Sequence, residues 1–129
     1  MGRSADMKDF RSGCPIASAL DLIGDRWTLV ILRDLVNGKT RYADFLDGPE
    51  RIASNVLSAR LTAMERAGLI ESRLYRQRPK RYEYHLTPKG AALLPTLHAL
   101  CRWGEAHIAG RWKAPASFMT KKPEDLVPK

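Results

Sequence analysis

The chain has 129 residues, of which 44% are hydrophobic, and 22 Lys and Arg outnumber 14 Asp and Glu to give a net charge of +8. This length suffices for one domain with an apolar core and is too short for two comfortable ones. The positive charge favours an anionic partner, nucleic acid before a membrane surface. No apolar run approaches the roughly 18 residues of a membrane span, and the N-terminus lacks the apolar segment of a signal peptide, so we expect a cytoplasmic protein.

The first half of the chain predicts an arm followed by three helices. Residues 1–13 are polar and predict a flexible N-terminal arm. Apolar residues at helical spacing then predict a first helix from Pro15, which suits a first helical turn, to Gly24. Asp25 is expected to be the N-cap of a second helix, whose apolar residues cover more than one face and should lie at the centre of the domain. Thr40 should cap a short third helix that ends in a turn.

The stretch from Ile52 to Leu86 organises the rest of the chain. It opens with an amphipathic helix for which Ser54 is the expected N-cap and Gly68 the expected terminator. The apolar stripe of this helix consists of Leu57, Leu61 and Met64, with Val56 and Ala67 beside it. At 100° per residue, the opposite face consists of small and polar side chains, namely Asn55, Ser58, Ala59, Thr62 and Arg66.

Two runs of alternating residues after this helix predict a β-hairpin around the basic loop from Gln77 to Lys80, in which Pro79 cannot donate a hydrogen bond. Residues 51–81 contain eight Arg and Lys against two Glu, so they carry +6 of the net +8. A helix with a polar outer face beside a cationic hairpin is what a reader of duplex DNA needs, because neutral side chains address base edges and cations address phosphates. The alternative is a solvated basic face on an ordinary domain.

The C-terminal part predicts one long helix. Thr87 is the expected N-cap, Pro88 suits the first helical position, and the apolar stripe continues through about Ala109. Pro95 predicts a kink, because it removes a backbone donor one or two turns into the helix.

This order of elements predicts a mainly α fold with a small β-hairpin wing, a winged helix-turn-helix with terminal dimerisation helices. The expected domain covers residues 14–110, and residues 111–129 are expected to form a weakly ordered C-terminal tail, although Trp112 and Phe118 could pack down. The first and last helices carry more apolar surface than so small a domain needs, so we expect a homodimer. A two-fold dimer would place two reading helices on successive faces of the major groove.

Between Cys14 and His107 the chain resembles the HxlR-type winged-helix transcriptional regulators, relatives of the MarR group. The resemblance is carried by Cys14-Pro15, Ile23-Gly24-Asp25-Arg26-Trp27, Ile31-Leu32, Arg41-Tyr42, Phe45, Ile52, Leu57-Ser58, Arg60-Leu61, Gly68-Leu69-Ile70, Tyr82, Tyr84, Leu86-Thr87 and Lys89-Gly90. It implies a dimeric bacterial transcription factor that binds double-stranded DNA at an operator near the genes it controls, with repression the commoner role. Many members have serine where this chain has Ala53, so the start of the reading helix could be displaced by one residue.

The expected DNA contacts divide into bases and backbone. Groove-facing side chains are expected at Ser54, Asn55, Ser58 and Thr62. Contacts to phosphates or the minor groove are expected from Arg78, Lys80 and Arg81. Arg60 projects towards the flank of the apolar stripe, so it either contacts a phosphate or forms a salt bridge that braces the helix.

Cys14 precedes Pro15 at the expected start of the first helix, where unpaired amides and the helix dipole stabilise a thiolate, and Arg11 is close in sequence. Some HxlR-type regulators are similar in having an N-terminal cysteine that senses oxidants or electrophiles, so Cys14 is a candidate redox sensor for a small electrophile or oxidant as effector. The alternative is a small buried cysteine at the dimer seam. Cys101 lies on the apolar stripe of the last helix and is expected in the core.

Other chemistry has little support in the sequence. His98, Cys101 and Glu105 share a helical face, but three residues on one helix are a weak metal signal, so we expect neither a metal nor a cofactor. The chain has no glycine-rich phosphate loop, no nucleophile elbow and no paired carboxylates in an apolar setting, so we do not expect an enzyme. The remaining alternative is a winged-helix module that binds protein or RNA without recognising an operator.

Overall fold

A computed structural model describes residues 10–127, and the predicted arm therefore lies mostly outside the described residues. The helices are α1 (Pro15–Ile23), α2 (Thr28–Val36), α3 (Tyr42–Leu46), α4 (Ser54–Arg66), α5 (Pro88–Ala91), α6 (Leu94–His107) and α7 (Ala116–Met119), followed by a 3-10 helix at Pro123–Asp125. The strands are β1 (Ile70–Gln77) and β2 (Lys80–Leu86). No helix within residues 10–127 is long and apolar enough to cross a membrane. The predicted class, a mainly α fold with a β-hairpin wing, is confirmed.

The core lies where α2, the inner side of α4 and the base of the hairpin meet. Its residues are predominantly branched aliphatic, and the most deeply buried are Ile31, Leu32, Phe45, Leu57, Met64, Ile70 and Leu94. The predicted central position of α2 is confirmed, because six of its nine residues are buried. The apolar stripe predicted for α4 is also confirmed, since Leu57, Leu61 and Met64 all face this core.

The hairpin is antiparallel and longer than predicted. Gln77 pairs with Lys80, so both residues belong to the strands and only Arg78 and Pro79 form the turn. A bulge at Tyr75 interrupts the register between Leu74 and Arg76. The segment before α3 joins β2 as well, because the Tyr84 amide donates to the Thr40 carbonyl at 2.7 Å and Arg41 pairs with Glu83.

For three helices the predicted N-cap residue is wrong. The N-cap of α4 is Ala53, and Ser54 is already the first helical residue, so the start of α4 is not displaced by one residue. The N-cap of α3 is Arg41, because the Thr40 carbonyl is bound to β2 and the Asp44 carboxylate accepts from the Arg41 amide at 3.2 Å. Asp25 caps α2 from three residues ahead, and its carboxylate accepts from the Trp27 and Thr28 amides at 2.9 and 3.0 Å.

The predicted long C-terminal helix is wrong in one respect, because it is broken and not kinked. Thr87 caps α5 as expected, and its hydroxyl oxygen accepts from the Gly90 amide at 3.1 Å. The chain then turns at Ala92 and Leu93, and Pro95 lies in the first turn of α6, where its missing donor costs nothing.

Part of the segment predicted as a weakly ordered tail packs against the domain. Phe118 on α7 is buried, and its carbonyl oxygen accepts from the buried His98 Nε2 at 2.9 Å. Lys121 Nζ donates to the Val36 carbonyl at 3.1 Å, which ties this segment to the end of α2. Trp112, by contrast, is 80% exposed and does not pack down.

Candidate nucleic-acid interface

The outer face of α4 is polar and open, as the sequence predicts. Its side chains are all exposed, namely Asn55, Ser58, Ala59, Thr62 and Arg66. Ser54, at the first helical position, is also exposed. The short side chains leave the helix backbone accessible, which close approach to another macromolecule requires. No bulky residue interrupts the first three turns of this face.

Contacts from two other elements, α3 and β1, hold the ends of α4 in position. At its start, the Tyr42 hydroxyl of α3 donates to the Ser54 carbonyl at 2.8 Å and lies 2.9 Å from Ser58 Oγ. At its end, the Glu65 carboxylate accepts from the Ser72 amide and hydroxyl of β1 at 3.3 and 2.8 Å. A helix fixed at both ends presents its outer face in one orientation, as recognition by shape requires.

Arg60 braces the middle of α4. Its guanidinium Nη1 lies 3.4 Å from Asp25 Oδ1, and both side chains are about one-third exposed. Of the two roles left open for Arg60, this geometry favours the salt bridge. Asp25 therefore serves two elements, because it caps α2 and holds Arg60.

The turn before α4 is held by a second ionic contact. Arg33 on α2 contacts both carboxylate oxygens of Glu50 at 2.8 and 2.9 Å, and it also contacts the buried Asp34. Hydrogen bonds from Arg33 lower the pKa of Glu50, an effect that outweighs the opposing effect of burial. Two-point contacts of this kind fix direction as well as distance, so the turn between α3 and α4 is anchored to α2.

The wing carries exposed positive charge. Arg78, Lys80 and Arg81 are exposed at its tip, and within the described residues none of them forms an ion pair. The base of the wing is different, because Arg73 pairs with Glu71 and Arg41 pairs with Glu83 while lying over the Tyr75 ring. The charges that can meet an external anion are therefore concentrated at the tip.

The candidate sensor, Cys14, is exposed at the N-cap position of α1. Within residues 10–127 its thiol makes no capping hydrogen bond, whereas its amide donates to Ser12 Oγ at 3.2 Å. Arg11 does not support the sensor role of Cys14, because the Arg11 guanidinium pairs with Asp21. Burial raises the pKa of the Cys101 thiol, and Cys101 is half-buried against the core as expected. Of the two thiols, Cys14 is the more accessible.

Two residues that matter for this interface were not predicted from the sequence. Tyr42 is one of the residues that carry the family resemblance, and its hydroxyl binds the first turn of α4, a contact that the sequence does not predict. Arg51, directly before Ile52, has φ of +58°, a left-handed conformation that is rare for arginine. Neither could be deduced from periodicity, because both depend on how α3 and α4 are placed relative to each other.

The chain is similar to known transcriptional regulators over most of its length. The sequence profile described as HxlR-like helix-turn-helix matches residues 22–112. The HTH-type transcriptional regulator YdeP of Bacillus subtilis is 35% identical over 107 residues, which cover 83% of each chain. These proteins are regulators and not enzymes.

Solved structures give the same result. The redox regulator HypR in its oxidized form has a TM-score of 0.67 and 31% identity, covering 73% of this chain and 97% of that chain. The reduced form of the transcriptional regulator YodB from B. subtilis has a TM-score of 0.63 and 26% identity, covering 78% of this chain and 100% of that chain. With a profile match over more than half of its residues, this chain belongs to the HxlR-like helix-turn-helix family of transcriptional regulators.

Proposed function

We propose that the chain binds operator DNA as a homodimer, with α4 in the major groove and the wing on the flanking backbone. The observation that carries this proposal is the combination of an exposed, polar and rigidly held α4 with a wing tip of exposed cations. Helices enter the major groove and side chains distinguish the base edges there, whereas cations of an adjacent element neutralise phosphates. The family of the chain supports the same placement.

The proposed base contacts come from the first three turns of the outer face. Asn55 can bind the N6 and N7 edge of adenine with both ends of its amide, and Ser58 and Thr62 follow it on the same face. Ser54 lies at the helix start, where the backbone amides attract a phosphate. Arg78, Lys80 and Arg81 are assigned to phosphates or the minor groove, and Arg60 to its salt bridge with Asp25.

Fluorescence anisotropy tests this proposal with duplex DNA from upstream of the gene, compared with scrambled duplex, over a series of salt concentrations. We expect tighter binding to the upstream duplex and a steep decrease of affinity with salt. Asn55→Ala should reduce the difference between the two duplexes, whereas Asn37→Ala, at an exposed asparagine that ends α2, should not. Equal and weak binding to both duplexes would favour docking to a protein, and a preference for single strands would favour RNA.

We further propose that the regulator is a repressor. A dimer seated on an operator that overlaps a promoter excludes polymerase, and this needs no additional activating surface. Deleting the gene should then increase expression from a reporter carrying the upstream DNA. A decrease of expression in the deletion strain would instead identify an activator.

We also propose that Cys14 responds to oxidants or electrophiles. Its exposed thiol and its place at a helix start support this, and the structural neighbour HypR is named a redox regulator. With a quinone, the sulfur adds to a ring carbon and the thiol proton is transferred to the quinone. With diamide, two thiols lose two electrons and two protons to diamide and form a disulfide, which the Cys14 residues of two subunits could share.

Diamide or a quinone added to the preformed complex tests the role of Cys14. The wild-type protein should release the operator, and Cys14→Ser should bind with unchanged affinity but fail to release it. Cys101→Ser is the control, because burial raises the pKa of that thiol and a protonated thiol is a poor nucleophile. Release of the Cys14→Ser variant by the same reagents would rule out this sensor.

A further inference from the structure

The start of α4 contains a short chain of hydrogen bonds that joins it to α3. The Tyr42 hydroxyl lies 2.8 Å from the Ser54 carbonyl oxygen and 2.9 Å from Ser58 Oγ. Tyr42 is partly buried, whereas the Ser58 side chain is exposed on the outer face of α4. The second hydrogen bond joins two hydroxyl groups, so either oxygen could in principle supply its proton.

Counting protons decides which group donates. A carbonyl oxygen has no proton and can only accept, so the bond to Ser54 uses the single proton of the Tyr42 hydroxyl. The bond between the two hydroxyl groups must then use the Ser58 proton, which points back towards Tyr42. On its exposed side, Ser58 Oγ therefore offers only lone pairs, so it can accept a hydrogen bond there but not donate one.

We infer that Tyr42 is a positioning residue for base selectivity, because it makes Ser58 a hydrogen-bond acceptor towards the major groove. This inference rests on the proposed placement of α4. The amino groups available in the major groove are N6 of adenine and N4 of cytosine, whereas O6 of guanine and O4 of thymine are acceptors. An acceptor on Ser58 thus selects adenine or cytosine at the position it contacts and disfavours guanine or thymine.

Selection from a pool of duplexes with a randomised centre, followed by sequencing, measures this preference without a known operator. Comparing the wild-type protein with Ser58→Ala identifies the contacted position, because that position alone should lose its preference. At this position the wild-type protein should enrich adenine or cytosine over the other two bases by about fivefold, the effect of one hydrogen bond. Enrichment of guanine or thymine there would overturn the inference from the wild-type protein alone.

Tyr42→Phe tests the role of the phenol directly. Without the phenol oxygen, the Ser58 hydroxyl can rotate and donate, so the preference at this one position should fall to less than about twofold. Adding Tyr42→Phe to Ser58→Ala should change nothing further at that position, a result that general loss of structure would not produce. Tyr84→Phe removes the same hydroxyl from a ring that makes no hydrogen bond to α4 within residues 10–127, and it should leave the preference intact.

The outcomes distinguish this inference from the proposed function. If the wild-type protein enriches no sequence, operator recognition itself is wrong and the inference falls with it. If it enriches a consensus that Tyr42→Phe leaves unchanged at the Ser58 position, only the inference is overturned. Thermal unfolding of each variant establishes that it is folded, and the base identity selected by the wild-type protein tests the inference even if Tyr42→Phe does not fold.

Discussion

At the scale of a single residue, Asp25 joins two elements, the start of α2 and the middle of α4. Its carboxylate accepts from the amides of Trp27 and Thr28 and from the Thr28 hydroxyl, and it lies 3.4 Å from the Arg60 guanidinium. Burial alone would raise the pKa of Asp25, but these hydrogen bonds and the Arg60 charge outweigh it and hold the pKa below its usual value. The ionised carboxylate is therefore favoured by folding.

Asp25→Ala should lower the free energy of unfolding by about 1 kcal/mol at pH 7, a typical loss for a capping residue. A depressed pKa stabilises the fold above the pKa of the unfolded chain, about 4, and this contribution is lost as the pH falls through the folded pKa. The difference between variant and wild type should therefore shrink at about pH 3. Urea denaturation at the two pH values measures it.

Asp47→Ala is a suitable control for this measurement. Asp47 is exposed, and its carboxylate makes no hydrogen bond within the described residues. Its removal should change stability little at either pH. An Asp25→Ala variant as stable as the wild type at pH 7 would contradict the role assigned to the carboxylate.

At the scale of an element, the wing should act through its charge more than through its sequence preference. Each phosphate contact contributes about 0.9 to the slope of log affinity against log salt on duplex DNA. Arg78→Gln should therefore reduce that slope by about 0.9 and weaken binding to operator and scrambled duplex alike. Anisotropy titrations from low to physiological salt measure the slope.

Arg60→Gln is the informative comparison for the wing. Its guanidinium is bound to Asp25, so the slope should remain that of the wild type while the free energy of unfolding decreases. A decreased salt slope for Arg60→Gln would indicate that Arg60 contacts a phosphate. An unchanged salt slope for Arg78→Gln would indicate that the wing tip does not contact the DNA.

The sequence predicted the elements of this fold better than their ends. Hydrophobic periodicity located α1, α4 and the hairpin, and α4 buries its whole apolar stripe, Leu57, Leu61 and Met64, within the chain. Cap positions failed where a distant partner competes for the same group, as β2 does for the Thr40 carbonyl. The distinction between a kink and a break at Pro95 also depends on packing. Thr87 Oγ1 donates to the Gly68 carbonyl and Lys89 Nζ donates to the Ala67 carbonyl at 2.7 Å, which hold α5 against the end of α4.

The candidate site shows the same division. The outward face of α4 and the cationic wing follow from the sequence alone, since helical projection and charge are local properties. The bond from Tyr42 to α4 and the pairing of Arg60 with Asp25 do not, because each joins segments whose relative placement is a property of the whole fold. Base contacts remain predictions.

At the scale of the whole molecule, the terminal helices leave apolar side chains in water. Ile16 and Leu20 on α1 are 72% and 51% exposed, and Leu100 and Trp103 on α6 are 50% and 59% exposed. Single exposed apolar residues are common on protein surfaces, but large ones repeated along two helices are typical of an interaction face. A second copy of the chain is the occupant that we propose, because one reading helix per subunit then addresses each half of an operator.

Leu20→Glu or Trp103→Glu should convert the dimer to a monomer, because a buried carboxylate without a partner is costly. Sedimentation should give twice the 14.5 kDa of the chain for the wild type and 14.5 kDa for the variants. Leu74→Glu on the wing, where Leu74 is 40% exposed, should remain dimeric. The monomeric variants should bind operator at least about tenfold more weakly, because the two reading helices are no longer linked. A wild-type protein that sediments as a monomer at micromolar concentration would contradict this assembly, and each α4 would then have to recognise its site alone.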